Sequence, residues 1–271
     1  MNKLIISLLL INSFLFVSCD KVGSNSDSSK SIIVSGSSSV SPLMFKLAEK
    51  FEEANSNYSV TVETSDSTIG VSDTINGNND IGMASRNLKE NEAPELDAYL
   101  LCQDGIVIIA NKDSSITQIS EEELYNLYIN NAAIGSISKA ISREDGSGTR
   151  SAFTDLTLIG KETPLPATVE ILDGTGKVKT AVNSDSSKLG YISLGSVDDT
   201  IKPLLYKAKS QSEYAAPSVE NIKSDTYKLY RPFYIFTKKG KEMSEGTRAF
   251  LDFIDSDVGK QVINENGYVA N

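Results

Sequence analysis

Two clusters of glycine and hydroxyl residues, far apart in the chain, have the composition of an anion-binding site. Residues 35–42 read SGSSSVSP, and residues 143–149 read REDGSGT. Each cluster follows an apolar segment typical of a strand and precedes a segment with helical spacing. Backbone N–H groups at a helix start, small hydroxyls and one arginine are the donors that a multivalent oxyanion requires. The two clusters therefore indicate anion capture rather than covalent chemistry.

A third loop, residues 65–70 (SDSTIG), has the same character and also follows a predicted strand. In open α/β sheets, ligands lie beyond the carboxyl ends of the strands, where helix N-termini point. For any single loop, ordinary helix capping by serine is the simpler explanation. Because all three loops follow strands and one of them carries Arg143, we expect them to face one ligand.

The elements that must position these loops alternate between strands and helices, which predicts an α/β fold with mainly parallel sheets. The predicted strands cover residues 31–35, 58–64, 80–84, 105–110, 137–142, 189–194, 201–206 and 227–237. A helical pair is predicted over residues 244–267. A composition change near Ala110 and a long strand near Tyr230 predict two lobes joined by two crossings. The first lobe would comprise residues 32–110 plus 231–271, and the second lobe residues 111–230.

The N-terminus has the pattern of an export signal. Lys3 precedes a nearly uninterrupted apolar segment, residues 4–17, and Ser18 precedes Cys19. A signal that stops at cysteine is similar to the bacterial lipoprotein type, in which that cysteine is diacylated. We expect a signal peptide over residues 1–18, then lipidated Cys19 and a flexible polar tether over residues 19–31. A plain secretory signal with an incidental cysteine is the alternative.

The composition excludes several classes of function. The net charge of −10 argues against nucleic-acid binding, which requires basic patches. The chain has no histidine, so it lacks the usual general base and the commonest metal ligand. A Ser–His triad at Ser147 is therefore impossible, and a Ser–Lys arrangement is the remaining catalytic alternative. We expect no metal, no cofactor and no enzymatic activity, and Cys102 is expected to be a buried apolar residue.

The second cluster resembles the signature of the phosphate-binding proteins that supply bacterial ABC phosphate transporters. Residues 36–42 look like the first anion loop of that family, and residues 80–86 (DIGMASR) and 189–195 (LGYISLG) match it in order and spacing. The resemblance extends from about residue 31 to the C-terminus, so it is far more specific than one glycine motif. It implies a two-lobed periplasmic-binding-protein fold, type II-like, with a ligand cleft between the lobes that closes over phosphate.

Carried over by position, the resemblance implies a phosphate site with residues from both lobes. The implied ligand-binding residues are Ser38, Ser39, Ser67, Ser85, Arg143, Asp145, Ser147, Gly148 and Thr149. Asp145 would orient Arg143, and a turn-forming role before glycine is its alternative.

One position departs from the commonest family pattern. Several members carry an aspartate after the Ala-Ser pair, and that aspartate accepts a hydrogen bond from protonated phosphate. In this chain the position is occupied by Arg86. Discrimination of phosphate from sulfate must therefore depend on another acceptor, which we expect to be Asp145, or the discrimination must be weaker. Arg86 itself would add positive potential to the site or form a surface ion pair.

The resemblance implies an exported, lipid-anchored monomer, periplasmic or at the cell surface. It would capture inorganic phosphate by hinge closure and deliver it to the permease subunits of an ABC importer. The hinges are expected near residues 110–111 and 230–232. The alternatives are a binding protein for another tetrahedral oxyanion, sulfate or molybdate, and a surface interaction lipoprotein on the same fold. A phosphate-ester hydrolase is the third alternative.

Overall fold

The computed structural model describes residues 30–160 and 164–271. The predicted signal peptide, residues 1–18, and Cys19 lie outside the described residues, as does the predicted tether up to residue 29. Across the part of the chain that is described, every helix is too short or too polar to cross a membrane.

The described chain alternates strands and helices, as the sequence predicts. In chain order the strands are β1 (Ser31–Ser37), β2 (Ser59–Ser65), β3 (Ile81–Ala84), β4 (Leu96–Asn111), β5 (Gln118–Ser120), β6 (Lys139–Arg143), β7 (Glu170–Leu172), β8 (Lys188–Ser193), β9 (Ile201–Pro203), β10 (Leu205–Lys207), β11 (Tyr230–Lys238) and β12 (Val269–Ala270). The helices are α1 (Ser41–Ala54), α2 (Ser67–Asn76), α3 (Glu121–Asn130), α4 (Gly148–Leu156), α5 (Thr175–Ser184), α6 (Val219–Lys223), α7 (Glu245–Asp255) and α8 (Asp257–Glu265).

One mixed sheet runs through both lobes, in the order β2-β1-β3-β11-β4-β8-β6-β7. On one side, β1 is parallel to β2 and β3, and on the other side β6 is parallel to β7 and β8. The antiparallel pairs between these strands all involve β4 or β11, which run between the lobes. The predicted two-lobed α/β fold is therefore confirmed, with parallel pairing in each lobe and antiparallel strands at the crossing.

Strand β4 belongs to both lobes. Its first part pairs with β11 as far as Gly105, and from Ile106 onward it pairs with β8. Cys102 packs in the core of the first lobe, whereas Ile106 packs in the core of the second. The outward crossing thus lies earlier in the chain than the predicted boundary at residue 110. The apolar run over residues 105–110 is buried on both faces, so its composition does not reveal which lobe it joins.

Each lobe has its own aromatic core. In the first lobe, the ring of Phe51 on α1 lies 5.0 Å from that of Phe250 on α7, so the C-terminal helices complete this lobe. In the second lobe, Phe153 stacks on Tyr191 with ring centroids 3.9 Å apart. The Tyr191 hydroxyl accepts a hydrogen bond from the backbone N–H of Arg143, with an N···O distance of 3.4 Å. This core therefore fixes the end of β6, from which the second glycine cluster starts.

Candidate anion-binding site

The N-termini of four helices, two from each lobe, meet at one buried place between the lobes. Helices α1 and α2 begin after β1 and β2, and helices α4 and α5 begin after β6 and β7. Each start presents backbone N–H groups and the positive end of a helix dipole. The loops that the sequence indicates as anion-binding are therefore brought together, although they are far apart in the chain.

Three buried hydroxyls connect the lobes at this place. The Ser39 Oγ atom lies 2.8 Å from Thr149 Oγ1 and 3.1 Å from Thr175 Oγ1. Ser39 comes from the first lobe, and both threonines stand at helix starts of the second. Since each hydroxyl can donate one proton and accept two, the three can turn toward a shared ligand.

Next to these hydroxyls, Gly148 packs against two serines of the first lobe. Ser67 Oγ accepts a hydrogen bond from the Ser85 backbone N–H at 3.1 Å, and Ser37 Oγ donates to Ser85 Oγ at 2.9 Å. A Cβ atom on Gly148 would lie 2.3 Å from Ser67 Oγ and 2.7 Å from Ser85 Oγ. The absence of a side chain at Gly148 thus permits the close approach of the lobes.

The guanidinium of Arg143 is buried and faces both lobes. Its Nε and Nη2 atoms donate to the two carboxylate oxygens of Glu144 at 2.8 and 2.7 Å. Nη2 also donates to Ser38 Oγ at 2.9 Å, and Nη1 donates to Thr175 Oγ1 at 3.3 Å. The bidentate pair with Glu144 fixes the plane of the guanidinium and aims it at the hydroxyls.

The structure corrects the role predicted for Asp145. Its side chain is 94% exposed and pairs with Arg150, so it neither orients Arg143 nor lies among the site hydroxyls. Glu144 orients Arg143 instead. The chain turns here, with the Ser147 N–H donating to the Glu144 carbonyl at 3.1 Å, and the two neighbouring acids point to opposite sides.

Ser147 is buried and serves as the N-cap of α4. Its hydroxyl accepts the backbone N–H of Arg150 at 3.3 Å. This bond holds the first turn of α4 in place, so that Gly148 and Thr149 face the first lobe.

Arg86 forms an ion pair, but a buried one rather than the surface pair considered from the sequence. Its guanidinium donates to both carboxylate oxygens of Glu92 at 2.7 and 2.9 Å. The other arginines beside the cleft are also paired, as the pairs Arg143–Glu144, Arg150–Asp145 and Arg231–Asp104 show. The site therefore offers directed hydrogen-bond donors rather than a strong net positive charge.

A buried ion pair joins the crossing strands to the site. Asp104 of β4 accepts hydrogen bonds from Arg231 Nε and Nη2 at 3.3 and 3.1 Å, and from Ser193 Oγ at 2.7 Å. Arg231 Nη1 donates to the carbonyl oxygen of Ser85 at 3.2 Å. Complete burial raises the pKa of Asp104 to about 6, although the Arg231 charge opposes this rise.

Three residues of this site are absent from the ligand set that the sequence implies: Ser37 and Glu144, which lie inside the predicted loops, and Thr175, which lies outside them. Residues 174–177 (GTGK) lack the upstream glycine of a phosphate-binding P-loop, and Val178 stands where a P-loop has serine or threonine, so the sequence indicates only a turn here. The signal that could have identified Thr175 is the one used for the other clusters, a glycine and a hydroxyl at a helix start after a strand. Among residues 30–160 and 164–271, no group of acidic or thiol side chains could hold a metal ion.

Two lobes joined by two strands, with anion donors from both lobes in the cleft, define a periplasmic-binding-protein class of molecule. The family model of the PBP superfamily domain matches residues 23–258. The chain therefore belongs to the PBP superfamily.

The resemblance to phosphate-binding proteins is thus confirmed by sequence relatives. The phosphate-binding protein PstS of Borreliella burgdorferi is 26% identical over 285 residues, which cover 100% of this chain and 99% of the relative. The phosphate-binding protein PstS of Bacillus subtilis is 28% identical over 293 residues, which cover 99% of this chain and 94% of the relative. Phosphate-binding protein PstS 2 of Streptococcus agalactiae is 39% identical over 136 residues, and this match spans only 48% of the chain and 44% of the relative.

Solved structures agree over most of the chain. A Clostridium perfringens protein described as a phosphate ABC transporter substrate-binding protein, with bound phosphate, has a TM-score of 0.82 and 30% identity. The match covers 89% of this chain and 99% of that one. An ABC-type phosphate transport receptor from Vibrio cholerae has a TM-score of 0.69 and 32% identity, covering 89% and 100%.

Proposed function

We propose that this protein captures inorganic phosphate between its lobes and delivers it to the permease subunits of an ABC importer. The observation that carries the proposal is the meeting of the Ser39 and Thr149 hydroxyls from opposite lobes, close to the Arg143 guanidinium that donates to Ser38. Because these donors come from both lobes, an oxyanion held there contacts both and favours the closed arrangement.

In this proposal each lobe contributes its own set of donors to phosphate. The first lobe supplies Ser38, Ser39, Ser67 and Ser85. The second lobe supplies Arg143, Ser147, Gly148 and Thr149, with backbone N–H groups at the start of α4. Asp145 is left out because its carboxylate is exposed.

We further propose that the mature protein is an exported monomer anchored through a lipid on Cys19. The polar segment that follows Cys19 would let the binding lobes reach a permease in the same membrane. Mass spectrometry of the protein purified from its native membrane tests this directly, since diacylation adds a defined mass to the N-terminal peptide. An unmodified Cys19 in the mature protein would contradict the anchor.

Calorimetric titration of the purified lobes, residues 30–271, with phosphate and then with sulfate tests the binding proposal. We expect one phosphate per chain and weaker binding of sulfate. Failure of both anions to bind would remove the proposal. Incubation with a chromogenic phosphate ester tests the hydrolase alternative, and we expect no turnover.

A second candidate, a binding protein for tetrahedral oxyanions in general, is favoured by the charge pairing around the cleft. Arg86 occupies the position of the family acceptor, and the Glu144 carboxylate is occupied by Arg143. A carboxylate acceptor for the phosphate proton is therefore less accessible than the hydroxyls. Competition dialysis against sulfate and molybdate distinguishes the two candidates, because equal displacement of phosphate by sulfate would indicate the broader specificity.

A further inference from the structure

Thr175 is outside the set of residues that the family resemblance assigns to the phosphate site, yet it contacts that site from a separate helix. It is the first residue of α5, and its side chain is buried. Its Oγ1 atom lies 3.1 Å from Ser39 Oγ and 3.3 Å from Arg143 Nη1. One hydroxyl thus touches a serine of the first lobe and the central arginine of the second.

The contact with Arg143 determines whether the Thr175 hydroxyl donates or accepts a hydrogen bond inside the cleft. A guanidinium can only donate, so Arg143 Nη1 occupies one lone pair of Thr175 Oγ1. The hydroxyl proton of Thr175 is then available to an acceptor inside the cleft. In this arrangement the hydroxyl of Ser39 is the neighbouring oxygen.

The local backbone holds Thr175 in this position. Gly174 has a φ angle of +83°, a left-handed conformation that favours glycine. Its N–H donates to Glu144 Oε2 at 3.4 Å, and the same carboxylate holds Arg143. Glu144 therefore aligns Arg143 and the start of α5 together.

We propose that Thr175 is a ligand-contacting residue that donates its hydroxyl proton to the bound oxyanion. An anion oxygen replaces Ser39 Oγ as the acceptor of the Thr175 proton. The second lobe then contacts the ligand through the starts of two helices, α4 and α5. This assignment rests on the proposed phosphate function and adds a residue to it. Because Thr175 acts as a donor, its contribution is the same for phosphate and for sulfate, which has no proton to share.

The test compares three variants of the protein by calorimetry with phosphate and with sulfate. T175V keeps the shape and removes the hydroxyl, T175S keeps the hydroxyl, and T180V makes the first change at an exposed position of the same helix. We expect T175V to weaken binding of both anions about tenfold, as for a lost hydrogen bond to a charged group. T175S should stay within about threefold of the original protein, and T180V should be unchanged.

A thermal-unfolding readout separates ligand contact from a structural role. Without anion, the Tm of T175V should be lower than that of the original protein, because valine cannot accept the hydrogen bond from Arg143 Nη1. With saturating phosphate, its Tm increase should be smaller. Full affinity in T175V, while Arg143→Ala binds weakly, would overturn this inference alone. If T175V loses phosphate binding but keeps sulfate binding, the donor role of Thr175 is wrong. If the original protein binds neither anion, the proposed function is wrong as well.

Discussion

At the scale of single residues, Arg143 is the cation whose buried guanidinium reaches hydroxyls of both lobes. We expect Arg143→Ala to weaken phosphate binding at least tenfold, about 1.4 kcal/mol, because a charge-assisted contact is lost. Calorimetry measures the change. Arg248→Ala, an exposed arginine on α7, removes the same charge far from the cleft and is the matched control. Unchanged affinity in Arg143→Ala would exclude the residue from the site.

The two neighbouring acids after Arg143 provide a sharper comparison. Glu144→Gln breaks the bidentate pair that fixes the guanidinium, so we expect phosphate affinity to fall severalfold. Asp145→Asn changes an exposed carboxylate and should leave affinity within about twofold, since surface ion pairs contribute little. The reverse order of effects in a titration would restore the orienting role that the sequence suggested for Asp145.

These acids also show how far residue types alone can predict a site. Hydroxyls, glycines and one arginine in order along the chain were enough to locate the loops, because anion capture requires those groups. The same types do not say which of two adjacent acids faces inward, since that depends on the peptide directions in a tight turn. Glu144 and Asp145 are chemically alike, and the fold separates them.

At the scale of elements, the start of α4 determines how closely the lobes can approach. Gly148 is in direct contact with the Ser67 and Ser85 hydroxyls across the cleft. Its φ angle is not positive, so alanine there is compatible with the helix and the strain arises only between the lobes. The close approach of the lobes thus depends on the absence of a side chain at Gly148 rather than on the stability of the helix.

We therefore expect Gly148→Ala to fold normally and to bind phosphate at least tenfold more weakly, because the new methyl group blocks the closed arrangement. Gly176→Ala is the control, since a Cβ there meets no atom within 4 Å. Small-angle scattering with saturating phosphate should show a larger radius of gyration for Gly148→Ala than for Gly176→Ala. Identical scattering and affinity for the two variants would show that Gly148 does not limit closure.

Element types were more predictable than element partners. Residues 201–206 were expected as one strand, but they form two short strands, Ile201–Pro203 on β4 and Leu205–Lys207 on β5. Apolar periodicity predicts that a segment forms a strand. Which strand it pairs with depends on which edge of the sheet is free. Pro203 lacks the N–H needed to continue a ladder, which suits a strand end. For the same reason, the extension of β4 into the first lobe could not be predicted from its apolar run.

At the scale of the whole molecule, the proposed anion site belongs to a chain with a net charge of −10. The cleft arginines are each paired with an acid, so attraction depends on oriented hydroxyls and helix starts rather than on excess cations. Such short-range donors act only when both lobes surround the ligand. The strands that cross between the lobes are held together at the cleft by Asp104 and Arg231.

Asp104 gives this crossing a dependence on pH. Its carboxyl lies at the junction of β4, β11 and β8, with Arg231 and the hydroxyl of Ser193 as direct partners. Cys102, Tyr227 and Tyr268 are the other titratable groups near it, and burial raises the pKa of each above its usual value. Among these four groups, Asp104 is thus the one that changes its protonation state at acid pH.

The pKa of Asp104 is about 6 in the folded protein and about 3.9 in an unfolded chain. Between these values the folded state keeps a proton that the unfolded state releases, so this group lowers stability as pH rises from 4 to 6. Above pH 6 its effect is constant. Thermal unfolding of the original protein should be compared with the double variant D104N/R231M, which removes both buried charges together. The Tm of the original protein minus the Tm of the variant should decrease between pH 4 and 6 and stay constant above pH 6. If this difference instead increases with pH, Arg231 keeps the Asp104 carboxyl ionised throughout.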